Sequence, residues 1–166
     1  ALLVRLDSRT HRLELHHPLI RSAVVELATT SERHAAHRRL AALFADDPVR
    51  KAWHLAELTV EPDGEIAGEL ERAARLILGR GDAVGAVTVL TRAAELSPVQ
   101  HDRSRLLVRA AFIGADTTGD MGVASQLFAQ AQSAGPASDE SLVAAITAAY
   151  LVLCADGDIE IGHRLL

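Results

Sequence analysis

Gly81-Asp82, Gly119-Asp120 and Gly157-Asp158 recur at one constant spacing, and their surroundings recur with them. Ala73, Ala111 and Ala149 keep the same spacing, as do Leu70, Val108 and Ile146. Downstream, Ala86 matches Ala124 and, in a third copy, Gly162. Leu90 matches Phe128 and Leu166, Ala93 matches Ala131, and Pro98 matches Pro136. Glycine admits left-handed φ, and aspartate suits a helix N-terminus. Each unit therefore reads as a helix, a tight turn and a second helix closed before proline. Small residues at fixed positions let the paired helices approach closely. Such units bury their apolar faces only by stacking on one another.

The second helix of each unit resembles that of the tetratricopeptide repeat. Ala86, Leu90, Ala93 and Pro98, and again Ala124, Phe128, Ala131 and Pro136, follow that family's spacing. The period of 38, the interval from Gly81 to Gly119 and from Gly119 to Gly157, exceeds the family's usual length of about 34. The tryptophan and the leucine-glycine pair of the family's first helix are absent here, and Ala73, Ala111 and Ala149 stand near the place of that glycine.

Ahead of the repeats, Leu2–Leu6 and Arg12–His16 read as short extended runs joined by the polar segment Asp7–His11, a β-hairpin signal. Pro18 suits a first helical turn, and Leu19, Ile20, Ala23, Val24 and Leu27 follow at helical spacing. Thr30 or Ser31 is expected to cap a second helix with Ala36, Leu40, Leu43 and Phe44 on one face. Asp46 or Asp47, before Pro48, opens a third through Ala52, Leu55 and Leu58. The expected fold is mainly α: a hairpin with helices over residues 1–60, the outline of a partial winged helix, then helical repeats over residues 61–166.

Composition agrees with that reading. Apolar residues make up 49% of the chain and charged residues 23%. That is too apolar for a disordered chain. Thirty alanines against three phenylalanines, one tyrosine and one tryptophan favour closely packed helices. The near-uncharged stretch from Ser141 to Ala155 is short for a membrane span. A single cysteine, Cys154, excludes an internal disulfide and points to a reducing, cytoplasmic setting. Only Lys51 breaks a monopoly of arginine among the strong bases, as in a GC-rich bacterium. Residues 1–54 carry nine Arg or Lys against six Asp or Glu, and residues 55–166 carry eight against sixteen. The acidic second part is a poor surface for nucleic acid. The strand-like opening at Ala1 and the apolar helical pattern at Leu165-Leu166 lead to the expectation of a piece of a longer protein.

The run Leu15-His16-His17-Pro18-Leu19-Ile20-Arg21-Ser22-Ala23-Val24, then Arg33–Leu43 and Ala52-Trp53-His54-Leu55, resembles a stretch of the ATPase-containing, MalT-like LuxR-type bacterial transcription regulators. That family joins a P-loop ATPase, a winged helix, a helical repeat arm and a C-terminal helix-turn-helix. The resemblance implies a sensor and interaction segment that relays inducer or partner binding to ATPase and DNA-binding domains lying elsewhere in a parent protein. It implies self-association of the parent and DNA contact only through a domain absent here. It also implies that His17 meets the β-phosphate of ADP in the parent, although the aspartate that usually follows is missing. The same block resembles parts of bacterial cyclases and kinases, and a stand-alone interaction scaffold is the other reading.

No catalytic constellation emerges. His34 and His37 share a helix face, and His54 is a candidate third metal ligand, but an exposed face with Arg33, Arg38 and Arg39 is the expectation, with no metal. Cys154 sits among Leu151, Val152, Leu153 and Ala155 as a small hydrophobe. Ser22 and Ser31 lie near histidines without a nucleophile elbow. Acidic residues are expected on solvated helix faces. Arg5, Arg9 and Arg12 can meet phosphate, but no recognition helix precedes the hairpin. No cofactor is expected in this chain, with ATP or ADP left to the parent.

Overall fold

The computed structural model describes residues 4–7, 12–15, 17–135 and 142–155. Among them the chain is mainly helical. Strands β1 (Val4–Asp7) and β2 (Arg12–Leu15) pair antiparallel, with Arg5 opposite Glu14 and Asp7 opposite Arg12. Eight α-helices follow: α1 (Pro18–Leu27), α2 (Thr30–Leu43), α3 (Pro48–Ala56), α4 (Gly64–Gly79), α5 (Ala83–Leu96), α6 (Gln100–Ile113), α7 (Met121–Ser133) and α8 (Leu142–Ala155). A π-helical segment, Gly114–Thr118, prolongs α6.

The Gly-Asp pairs do the local work their chemistry allows. Gly81 (φ 86°) and Gly119 (φ 69°) both have left-handed backbone. A Cβ is strained in that region, so glycine suits both turns. Asp82 and Asp120 then cap α5 and α7, accepting from the backbone N–H groups of Gly85 and Val123 at 2.7 and 3.0 Å. Each bond satisfies a donor that the first helical turn leaves without a partner. Gly157-Asp158, Gly162, Leu166 and Pro136 lie outside the described residues.

Burial repeats with the same spacing. Leu70 and Val108, Ala73 and Ala111, Ala86 and Ala124, Val89 and Leu127, and Ala93 and Ala131 are buried pair by pair. Fully buried alanines at 86, 93, 110 and 111 allow close helix approach. The core does not stop at residue 60. Ala52 and Ala56 of α3 belong to the same buried cluster as α4–α7, with Val49 and Trp53 packed on it. Arg92 on α5 fastens this joint, donating to the carbonyls of Ala56 (3.0 Å) and Thr59 (3.2 Å) at the end of α3. Carbonyls at a helix end lack intrahelical donors, and the guanidinium supplies them. The Asp63 N–H likewise reaches the Leu96 carbonyl at 2.7 Å.

Three local expectations need correction. Thr29, rather than Thr30 or Ser31, caps α2, in a reciprocal box where the Thr29 hydroxyl accepts from the Glu32 N–H and the Glu32 carboxylate accepts from the Thr29 N–H. Of the expected apolar face of α2, Ala36 and Leu43 are exposed, the latter at 73%, while Ala41 is buried. Leu19, Val24 and Leu27 of α1 are likewise solvent-facing, Leu27 at 83%. Helical spacing was right in both helices, but the faces are only partly covered: Ile20, Leu40 and Phe44 are half-buried, Phe44 against His54, while the others face solvent.

Candidate functional site

The densest side-chain chemistry lies where α4 passes α6. Glu71 projects from α4, and both of its oxygens accept from Arg105 on α6, at 2.9 Å each. Such a two-pronged pair is the strong form of the arginine–carboxylate contact. Arg75, one turn along α4, reaches the same carboxylate at 3.2 Å, and Arg109, one turn along α6, reaches it at 3.4 Å. Residues four apart share a helix face, which brings both into range. Asp102 adds a longer contact to Arg105 at 3.6 Å. Glu71 is thus no solvated acid, as acidic residues were expected to be: its side chain is only 16% exposed, whereas the arginines stay between 34% and 50% exposed. The Arg105 hydrogen bonds hold Glu71 below the usual carboxylate range, outweighing the opposite push of partial burial. The same pair raises Arg105 further.

A second cluster joins α2 and α3. The Nδ1 atoms of His37 and His54 approach to 3.1 Å. The His54 ring stacks on Phe44 with centroids 5.8 Å apart, and the Arg50 guanidinium lies 4.8 Å over the Phe44 ring. That places a cation on the negative face of the ring. Burial lowers the His54 pKa, His37 and Arg50 push it the same way, and Glu57 opposes them. The expected exposed histidine face is therefore incomplete: His34 and His37 are half-buried, and His37 turns to His54. No group of three or more His, Cys, Asp or Glu able to hold a metal ion occurs among the described residues.

His17 is exposed and caps α1, its Nδ1 accepting from the Leu19 N–H at 3.2 Å and its carbonyl from the Ile20 N–H. Nothing else among the described residues converges on it. Ser22 and Ser31 are exposed. Cys154 falls within α8, and Arg5 and Arg12 within the strands, but their side chains lie outside the described set, as does Arg9 altogether. A groove of about 620 Å³ runs between α5, α6 and α7, lined by Ala94, Leu107 and Ala129 with Glu95 and Arg103. Arg103 is already committed there, donating to the Ala94 and Ser97 carbonyls at 3.2 and 3.0 Å. Thr91 and Ser133 also line it, their hydroxyls donating to the Val87 and Ala129 carbonyls of their own helices. What the α4–α6 surface can do is hold carboxylates.

No helix among the described residues is long and apolar enough to cross a membrane. Comparison of the chain with protein families, curated proteins and solved structures gave no match.

Proposed function

We propose that this chain is the regulatory and protein-interaction segment of a cytoplasmic, LuxR-type, ATP-dependent transcription regulator. Residues 1–60 are the end of its winged-helix domain, and residues 61–166 are its tetratricopeptide-like arm. The arm binds a protein partner or a small inducer. A ligand that prefers one arrangement of the stacked helices shifts the parent between closed and self-associating states. The chain itself is not an enzyme and carries no cofactor.

The observation that carries this reading is the unbroken core from α3 into α7. Close-packed interiors move as blocks rather than deform smoothly, so a shift in the arm reaches the N-terminal helices. The equivalent Gly-Asp turns at 81–82 and 119–120 support the repeat. At His17, the Leu19 N–H occupies Nδ1 and so favours the tautomer with its proton on Nε2, the donor a phosphate oxygen needs.

Binding of fluorescent ADP to the full reading frame and to residues 1–166 tests the reading. The parent is expected to bind it, the segment alone is not, and His17→Ala in the parent is expected to weaken it. A parent without nucleotide binding overturns the regulator and leaves a plain interaction scaffold.

A further inference from the structure

The α4–α6 surface runs against the charge of its chain. The sequence carries a net charge of −5. Here, however, Arg75, Arg105 and Arg109 gather around two carboxylates, Glu71 and Asp102. Arg75 and Arg109 make one contact each, both to Glu71 Oε1. A guanidinium has five N–H donors in a planar fork, so most of theirs remain open. Arg105 already shows the fork in use, with both Glu71 oxygens at 2.9 Å.

We infer that the α4–α6 face docks an acidic segment of a partner protein, whose carboxylates pair with Arg75 and Arg109 beside the internal Glu71–Arg105 pair. The inference rests on the interaction-arm reading above and names the chemistry of the partner. The open N–H donors of Arg75 and Arg109, in a cluster where three arginines exceed Glu71 and Asp102 by one charge, match a short run of carboxylates. They do not match duplex DNA, which presents a charge every ~1.7 Å along its axis and is met by extended cation clusters. Glu71 acts within the site as a built-in competitor for the guanidiniums of Arg75 and Arg109.

Fluorescence anisotropy of labelled poly-glutamate titrated with the whole chain tests this. Saturable binding that weakens with added salt is expected, because the surface is solvent-accessible. Arg75→Gln combined with Arg109→Gln is expected to weaken it about tenfold or more, the scale of a lost charge-assisted contact. Glu71→Gln is expected to tighten it, since that change frees Arg105 and removes the competing charge. A merely structural role for Glu71 predicts the reverse. Thermal melts establish that each variant is folded.

Absence of saturable binding overturns the inference. So does binding indifferent to the folded double variant, or weakened by Glu71→Gln. Duplex DNA displacing the peptide at equal charge also overturns it, in favour of a nucleic-acid surface. The two readings fail separately: nucleotide binding by the parent without peptide binding here sinks only the acidic partner. Peptide binding here without nucleotide binding by the parent sinks only the regulator.

Discussion

Glu71 and Arg109 are separated by 38 residues, one full repeat, and meet at 3.4 Å. They are the same position in successive units, carrying opposite charge. The same interval separates Gly81 from Gly119 and Ala73 from Ala111 in the sequence. This pairing ties the repeat spacing to the ion cluster.

Glu71 therefore contributes stability with a defined pH signature. Its folded pKa lies below the ordinary 4.5, so the contribution is full above that value and is lost as pH falls through the folded pKa. Partly exposed ion pairs are worth about 1 kcal/mol or less. Glu71→Ala is expected to lower the urea midpoint modestly at neutral pH, and to converge with the unsubstituted chain in acid. Equal midpoints for the two proteins at neutral pH would remove the ion cluster from the stability account.

The His37–His54 contact predicts a second, separate titration. One Nδ1 must donate and the other accept, so the 3.1 Å contact tolerates at most one charged ring. Desolvation, then His37, lowers His54 below its ordinary 6.5, against the pull of Glu57. The unfolded chain thus takes up the proton first. Stability is full above 6.5, declines as pH drops from there towards the folded value, and is level below it. Chemical denaturation between about pH 8 and pH 5, the histidine range, should show this slope, and His54→Gln should flatten it. A slope unchanged in His54→Gln would place the titration elsewhere.

Ser104 is fully buried on α6, and its hydroxyl has no hydrogen-bond partner among the described residues. Burying a hydroxyl without compensation costs about 1–3 kcal/mol, and alanine is the better helix former. Ser104→Ala is therefore expected to raise stability by about 1 kcal/mol, read from the denaturant midpoint. A clear loss of stability would mean that the hydroxyl has a partner after all.

The Gly-Asp turns were legible in the sequence because their causes are local: a left-handed φ at Gly81 and Gly119, and a cap from the next residue. The buried alanines at 86, 93 and 111 followed from the same spacing. Thr29 was missed although its signal was present, since Thr29 and Glu32 have the spacing of a capping box. The exposure of Leu27 and Leu43 was not legible, because helical spacing marks an apolar face but not whether a neighbour covers it. The ion cluster joins residues 34 and 38 apart, and the histidine pair residues 17 apart, so both depend on how helices pack. For the first, a signal existed: stepping one period from Glu71 lands on Arg109. For the second, nothing in the spacing marks His37 and His54 as neighbours.

The cap of α5 offers a test of how such local chemistry couples. Asp82 accepts from the Gly85 N–H at 2.7 Å, and a Cβ at Gly85 would collide with that same carboxylate. Replacing Asp82 by alanine removes the cap, at a cost of about 1 kcal/mol. Gly85→Ala should gain helix propensity yet displace the Asp82 side chain, giving up much of that cap. With Asp82 already alanine, the collision is gone and only the propensity gain remains, about 1 kcal/mol in the stabilising direction. The double-mutant cycle over Asp82 and Gly85 should therefore be non-additive, with Gly85→Ala stabilising only in the Asp82→Ala background. Additive effects in denaturant titrations would show that the carboxylate moves aside freely, and that glycine at 85 is not there to make room for the cap.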